Sequence, residues 1–246
     1  MVLFFALAFA FTWLPQLPAV LAHHGFVTGG ADPWLPLTGL GAFGPMFAAI
    51  VCVWREPSGV RKLFAPLKLW RVSPVWYVAG LANSAGLLFV GLAIASLFGR
   101  EGPWFYPPRD APHLVAAVVF SFGEEIGWRG YALPRLVERH GGLVASVIIG
   151  VVWCFWHALM FDLAGLPPWL TPALVPFFVG GSIVFTFIWA RGGRSLLLMV
   201  LAHLSAHLNN SGQALPSDWT PTWVHLAAYV LVALALVALT RDEVTG

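Results

Sequence analysis

Runs of about 20 mostly apolar residues recur along the whole chain, and they limit its fold more than any other feature. A helix needs roughly 20 such residues to cross the hydrocarbon core of a bilayer. Of the 246 residues, 59% are hydrophobic and only 10% are charged, so lipid is expected to be the main solvent. The chain therefore predicts an all-α, polytopic bundle of about eight membrane spans, near residues 2–22, 36–54, 75–98, 112–131, 142–162, 172–190, 195–211 and 222–240. Pro134 is expected to end the fourth helix.

The connections between these spans differ sharply in positive charge. Arg100 and Arg109 fall in one set of connections. The opposite set holds the other 11 of the 13 Lys and Arg residues: Arg55, Arg61, Lys62, Lys68, Arg71, Arg129, Arg135, Arg139, Arg191, Arg194 and Arg241. Because cytoplasmic connections collect Lys and Arg, this asymmetry predicts an even number of spans with both termini in the cytoplasm.

No charged or Ser-rich linker divides the chain, so we expect a single transmembrane domain over residues 1–246. The net charge of +2 is small and dispersed, whereas nucleic-acid binding needs a basic face or stripe. The expected partners are the lipid bilayer and a membrane-associated molecule, with no nucleic acid. The short loops and the composition favour a bacterial inner membrane.

Ionisable residues inside the predicted spans are the candidates for function, because burying charge in a membrane is costly. Glu125 and Arg129 are four residues apart, so they share a helix face and can neutralise each other. Glu124 points elsewhere and is left free to act as a general base. The structural alternative places both carboxylates in one buried ion-pair network.

Three intramembrane histidines complete this set. His203 and His207 share a helix face, a spacing that suits either a metal ion or an oxyanion. His157 follows Trp153 by one turn, and its structural alternative is a core histidine bonded to a carbonyl. Helical rise puts Glu124, His157 and His203 at depths of roughly 16, 22 and 13 Å, so the three residues can meet near mid-membrane.

Three short motifs in this region resemble those of a known family. Residues 123–130 read G-E-E-I-G-W-R-G, which resembles the E-E-x-x-x-R signature of the CPBP family, the CaaX-protease and bacteriocin-processing (Abi) membrane peptidases. Trp153-x-x-x-His157 is similar to the second motif, usually F-x-x-x-H, with Trp in place of Phe. His203-x-x-x-His207 is similar to the third, H-x-x-x-N, with His207 at the usual Asn position. The resemblance covers residues 112–211.

This resemblance implies an intramembrane endopeptidase that needs no cofactor and forms no covalent intermediate. Glu124 would be the general base that activates a water, assisted by His157, and His203 and His207 would stabilise the oxyanion. The supporting residues would be Glu125, Arg129, Trp153 and Asn210, the last as a substitute for the missing motif Asn.

The same residues are compatible with other functions. A zinc-dependent metalloprotease would use His157, His203, His207 and a carboxylate, although no H-E-x-x-H occurs. A non-catalytic scaffold or bacteriocin-immunity protein would keep the fold without turnover, and a proton-coupled transporter would use Glu and His as a relay. Eukaryotic members of the family trim prenylated CaaX tails, but these residues do not specify the substrate beyond a membrane-accessible peptide.

Overall fold

A computed structural model describes residues 1–97, 99, 110–209 and 220–239, with backbone alone for residues 95, 209 and 220–226. These residues form helices and no strands, as the sequence predicts. The eight longest helices of the described residues are α1 (Val2–His23), α2 (Gly44–Val53), α3 (Pro74–Ser96), α4 (Ala111–Gly127), α5 (Leu133–Trp156), α6 (Val175–Arg191), α7 (Leu196–Asn209) and α8 (Thr220–Leu239). Shorter helical segments lie between them.

Four segments of the described chain are long and apolar enough to cross a membrane: Val2–His23, Asp32–Val53, Pro74–Ile94 and Ala111–Leu163. Helices α6 and α7 and the end of α8 are apolar but shorter. The 53-residue segment Ala111–Leu163 would measure about 80 Å as one straight helix, far more than the roughly 30 Å hydrocarbon core. Because four segments are long and apolar enough to cross a membrane, the protein is an integral membrane protein. The count of about eight spans and the cytoplasmic termini stay predictions.

The chain between α4 and α5 differs from the expected helix end near residue 131. One π-helical turn, Trp128–Ala132, joins the two helices directly. Pro134 does not end the helix, because it lies in the first turn of α5, where the missing N–H of proline is tolerated. The helical path breaks instead at Gly141, whose φ of 75° is easily adopted only by glycine.

Close helix packing holds α4 and α5 in place. A Cβ atom on Gly127 would lie 2.4 Å from the backbone carbonyl carbon of Pro45, so α4 meets α2 with no room for a side chain. A Cβ atom on Gly150 would lie 2.5 Å from the Cα atom of Val179, so α5 meets α6 in the same way. Helix α4 also packs against α7, and α7 packs against α3. These contacts place α4 against α7, which carries the third motif, and α5 against α6.

Candidate active site

The two adjacent glutamates of α4 have different surroundings. Glu125 Oε1 accepts a hydrogen bond from Arg129 Nη1 at 2.6 Å, and both side chains are fully buried. This is the i, i+4 pair that the spacing predicts. The guanidinium of Arg129 also lies over the rings of Trp153 and Phe185, with its carbon 4.7 and 4.6 Å from the ring centroids. Aromatic faces stabilise a buried cation, so Arg129 is held by one carboxylate and two rings.

Glu125 has a second partner on another helix. His203 Nδ1, on α7, lies 2.8 Å from the same Glu125 Oε1. A ring nitrogen facing a carboxylate oxygen donates its proton, which leaves Nε2 of a neutral imidazole as the acceptor. Glu125 therefore orients His203 as well as neutralising Arg129, a role that the sequence did not indicate.

Glu124 lies on the other side of this ion pair. Its Oε2 accepts a hydrogen bond from Trp153 Nε1 at 2.9 Å, and the side chain is almost fully buried. His203 Nε2 is 3.9 Å from the same oxygen, close enough to face it but beyond hydrogen-bond range. The carboxylate of Glu124 thus meets an indole N–H and an imidazole rather than a guanidinium hydrogen bond.

Trp153 joins Glu124 to His157. The Trp153 side chain donates to Glu124, and its backbone carbonyl lies 2.8 Å from His157 Nδ1. That contact indicates that Nδ1 carries the proton, so Nε2 of neutral His157 is an acceptor. His157 caps the C-terminus of α5, and its ring stacks on Phe161 with 5.7 Å between centroids. Trp153 thus supplies an N–H donor that phenylalanine, the usual residue of the motif it resembles, lacks.

His207 lies one turn beyond His203, and the two rings stack with 4.7 Å between centroids and an interplanar angle of 4°. In the described part of the chain, buried His207 Nε2 has no hydrogen-bond partner. Ligand atoms of Glu124, His203 and His207 lie within 4.8 Å of one another. His157 is outside this cluster, so the four-ligand set considered from the sequence is not reproduced. Asn210 lies outside the described residues.

Residues of α1 support the end of α5, which sequence analysis missed. Trp156 Nε1 donates to Thr12 Oγ1 at 2.8 Å, and Thr12 Oγ1 donates to the carbonyl of Gly41 at 2.8 Å. Trp13 Nε1 donates to the carbonyl of Trp156 at 3.1 Å. These bonds fix the turn that immediately precedes His157. The sequence does contain a signal for this contact: Thr12 and Gln16 are polar residues one turn apart in an otherwise apolar span.

The arrangement combines a buried carboxylate with imidazole nitrogens aimed into the same region. A carboxylate can take a proton from water, and imidazoles can accept or donate protons nearby. A second carboxylate and an arginine hold the helices that carry these groups. Such a site can support proton transfer and the stabilisation of a developing negative charge.

Comparisons with known proteins find similar peptidases. Residues 111–209 match the family described as Type II CAAX prenyl endopeptidase Rce1-like. The chain is 24% identical over 191 residues to CAAX prenyl protease 2 of Methanococcus maripaludis, an alignment that covers 72% of this chain and 69% of the relative. The family match spans α4 to α7 and includes all three motifs.

Proposed function

We propose that this chain, which is similar to the Rce1-like endopeptidases over residues 111–209, cleaves a membrane-accessible peptide by glutamate-dependent activation of water. The observation that carries this proposal is that the two glutamates have different hydrogen-bond partners. Glu125 is committed to Arg129 and His203. Glu124 faces Trp153 and His203 without a guanidinium bond, so its carboxylate is the group free to accept a proton.

In the proposed reaction, Glu124 takes a proton from a water molecule while the water oxygen attacks the scissile carbonyl carbon. Nε2 of His157 accepts a hydrogen bond from the same water and orients it. The tetrahedral intermediate then collapses, the C–N bond breaks, and the proton held by Glu124 passes to the leaving amine. No protein atom becomes covalently bound to the substrate.

His207 and His203 are the proposed donors to the oxyanion. Nε2 of His207 has no partner in the described residues, so it is free to carry a proton and donate it. His203 donates through Nε2 only as an imidazolium, because its Nδ1–H is directed at Glu125. The Glu125 carboxylate would stabilise that positive charge, which gives the second glutamate a role in the transition state.

The membrane setting and the curated relative support a proposal for the substrate class. The curated relative is named as a CAAX prenyl protease, and we propose a lipid-anchored peptide of this type as the first substrate to test. The proposed location is the inner membrane of a bacterium.

A zinc enzyme is the second candidate, because one cluster in the structure fits the metal. Glu124, His203 and His207 would supply the three protein ligands typical of a catalytic zinc site. Glu125 at Nδ1 of His203 matches the carboxylate that commonly orients a metal-binding histidine. Zinc bound there would act as a Lewis acid and lower the pKa of a bound water.

Peptide cleavage by purified, detergent-solubilised protein tests both candidates. We would compare wild type with Glu124→Gln, with and without a chelator, on prenylated and unprenylated peptides. Glu138→Gln is the matched control, because Glu138 is an exposed glutamate of α5. We expect chelator-resistant cleavage that disappears only in Glu124→Gln. Cleavage abolished by the chelator and restored by zinc would replace the glutamate mechanism with the metal one.

A further inference from the structure

The segment that joins α2 to α3 is strongly basic. Residues 54–73 contain a single carboxylate, Glu56, and five cations: Arg55, Arg61, Lys62, Lys68 and Arg71. Glu56 faces Arg135 of α5, with 3.8 Å between Oε2 and Nη2. The only acid of the segment is thus directed at another helix, and the cations keep their net positive charge.

Three of these cations line one groove. A cavity of about 510 Å³ is lined by Val60, Arg61, Lys62, Phe64, Ala65 and Lys68. Arg61 donates to Ser58 Oγ at 3.3 Å. Within the part of the chain that the structure describes, no carboxylate lies in ion-pair range of these three cations. The surface of the groove is almost wholly apolar, so the three cations line it with their aliphatic stems. Their unneutralised charge therefore accompanies an apolar wall.

The groove lies where the chain meets the membrane surface. The segment connects two apolar helices, each within a candidate span. Its Trp54, Leu69 and Trp70 are 72%, 46% and 57% exposed. Tryptophan is enriched at membrane interfaces, where its ring lies at the level of the lipid headgroups. The exposed apolar residues and the cations together are typical of a headgroup-contacting surface.

We propose that this groove binds the phosphate of an anionic phospholipid. Arg61, Lys62 and Lys68 would contact the phosphate, and the glycerol and upper acyl chain would lie against Val60, Phe64 and Ala65. A free phosphate ion would use the cations alone and leave the apolar wall in water. Lys and Arg clusters just outside a membrane helix attract anionic lipids at about 1 kcal/mol each, which corresponds to a factor of about five in affinity per cation.

The bound lipid would stabilise the segment that supports the site. Leu63, in the middle of the basic segment, is buried, and its Cδ1 lies 3.6 Å from where a Cβ atom of Gly130 would be. Gly130 directly follows Arg129 in the π-helical turn. A lipid that holds residues 60–68 in place therefore also supports the π-helical turn at the C-terminal end of α4. This consequence does not depend on which reaction the site performs.

Lipid retention and thermal unfolding test the proposal without any activity assay. The protein would be placed in nanodiscs of phosphatidylcholine alone or mixed with phosphatidylglycerol, and bound lipids would be identified by native mass spectrometry. The test variant is Arg61→Gln/Lys62→Gln/Lys68→Gln. The control variant, Arg55→Gln/Arg71→Gln/Arg139→Gln, removes the same charge from exposed positions outside the groove.

We expect wild type and the control to retain phosphatidylglycerol in preference to phosphatidylcholine and to unfold at a higher temperature with it. The groove variant should lose affinity by roughly 100-fold at low salt, the product of three fivefold losses. Equal losses of phosphatidylglycerol affinity in both triple variants would overturn the site. A wild-type protein that shows no preference for phosphatidylglycerol would also overturn it, and that result does not require the variants to fold. Equal stabilisation by inorganic phosphate would overturn the lipid assignment.

Discussion

The hydrogen bond from Trp153 to Glu124 offers the sharpest test of how the proposed base is held. Trp153→Phe keeps an aromatic ring beside Arg129 but removes the indole N–H that lies 2.9 Å from Glu124 Oε2. A hydrogen bond to a charged group contributes about 1.5–3 kcal/mol, and a buried acceptor without its partner costs a similar amount. If the bond holds Glu124 in its reactive orientation, kcat should fall by about 10- to 150-fold.

The assay is steady-state cleavage of the peptide substrate, with kcat and KM determined separately. KM should change little, because the indole contacts the base rather than the open part of the site. Trp169→Phe is the matched control, since Trp169 is 60% exposed and its loss should leave both parameters unchanged. A folded Trp153→Phe enzyme with kcat within about twofold of wild type, a barrier change of only ~0.4 kcal/mol, would refute the positioning role of the bond.

Three further substitutions have distinct expected effects on thermal unfolding in detergent. Glu125→Gln leaves a buried guanidinium without its carboxylate and should cost about 3–5 kcal/mol; an unchanged Tm would contradict the ion pair. Thr12→Val removes the acceptor of Trp156 Nε1 and the donor to the Gly41 carbonyl, so we expect the free energy of unfolding to fall by about 1–3 kcal/mol and kcat to decrease. Thr12→Ser keeps the hydroxyl and should retain wild-type stability and kcat. Gly127→Ala should destabilise by at least ~1–3 kcal/mol through overpacking against α2, whereas Gly86→Ala, with open space around it, should be neutral or stabilising.

Local patterns accounted for the helices and for one contact of the site. The apolar runs predicted the helical segments because crossing a bilayer requires a length that can be counted along the chain. The Glu125–Arg129 pair was predictable because residues four apart share a face of any regular helix. The boundary at Pro134 was wrong, since the π-helical turn before it places the proline in the first turn of a new helix.

The contacts that assign roles to the site residues depend on tertiary structure. Glu125 and His203 are separated by 78 residues, and Trp153 and Glu124 by 29. No spacing rule relates them, because each contact depends on how one helix is rotated and packed against another. The three motifs contain the candidate site residues, so the sequence by itself determined a membrane helix bundle with a group of Glu and His residues. Only the packing of α4 against α7, and the placement of α5 beside them, decided that Glu125 also orients His203 and that Trp153 donates to Glu124.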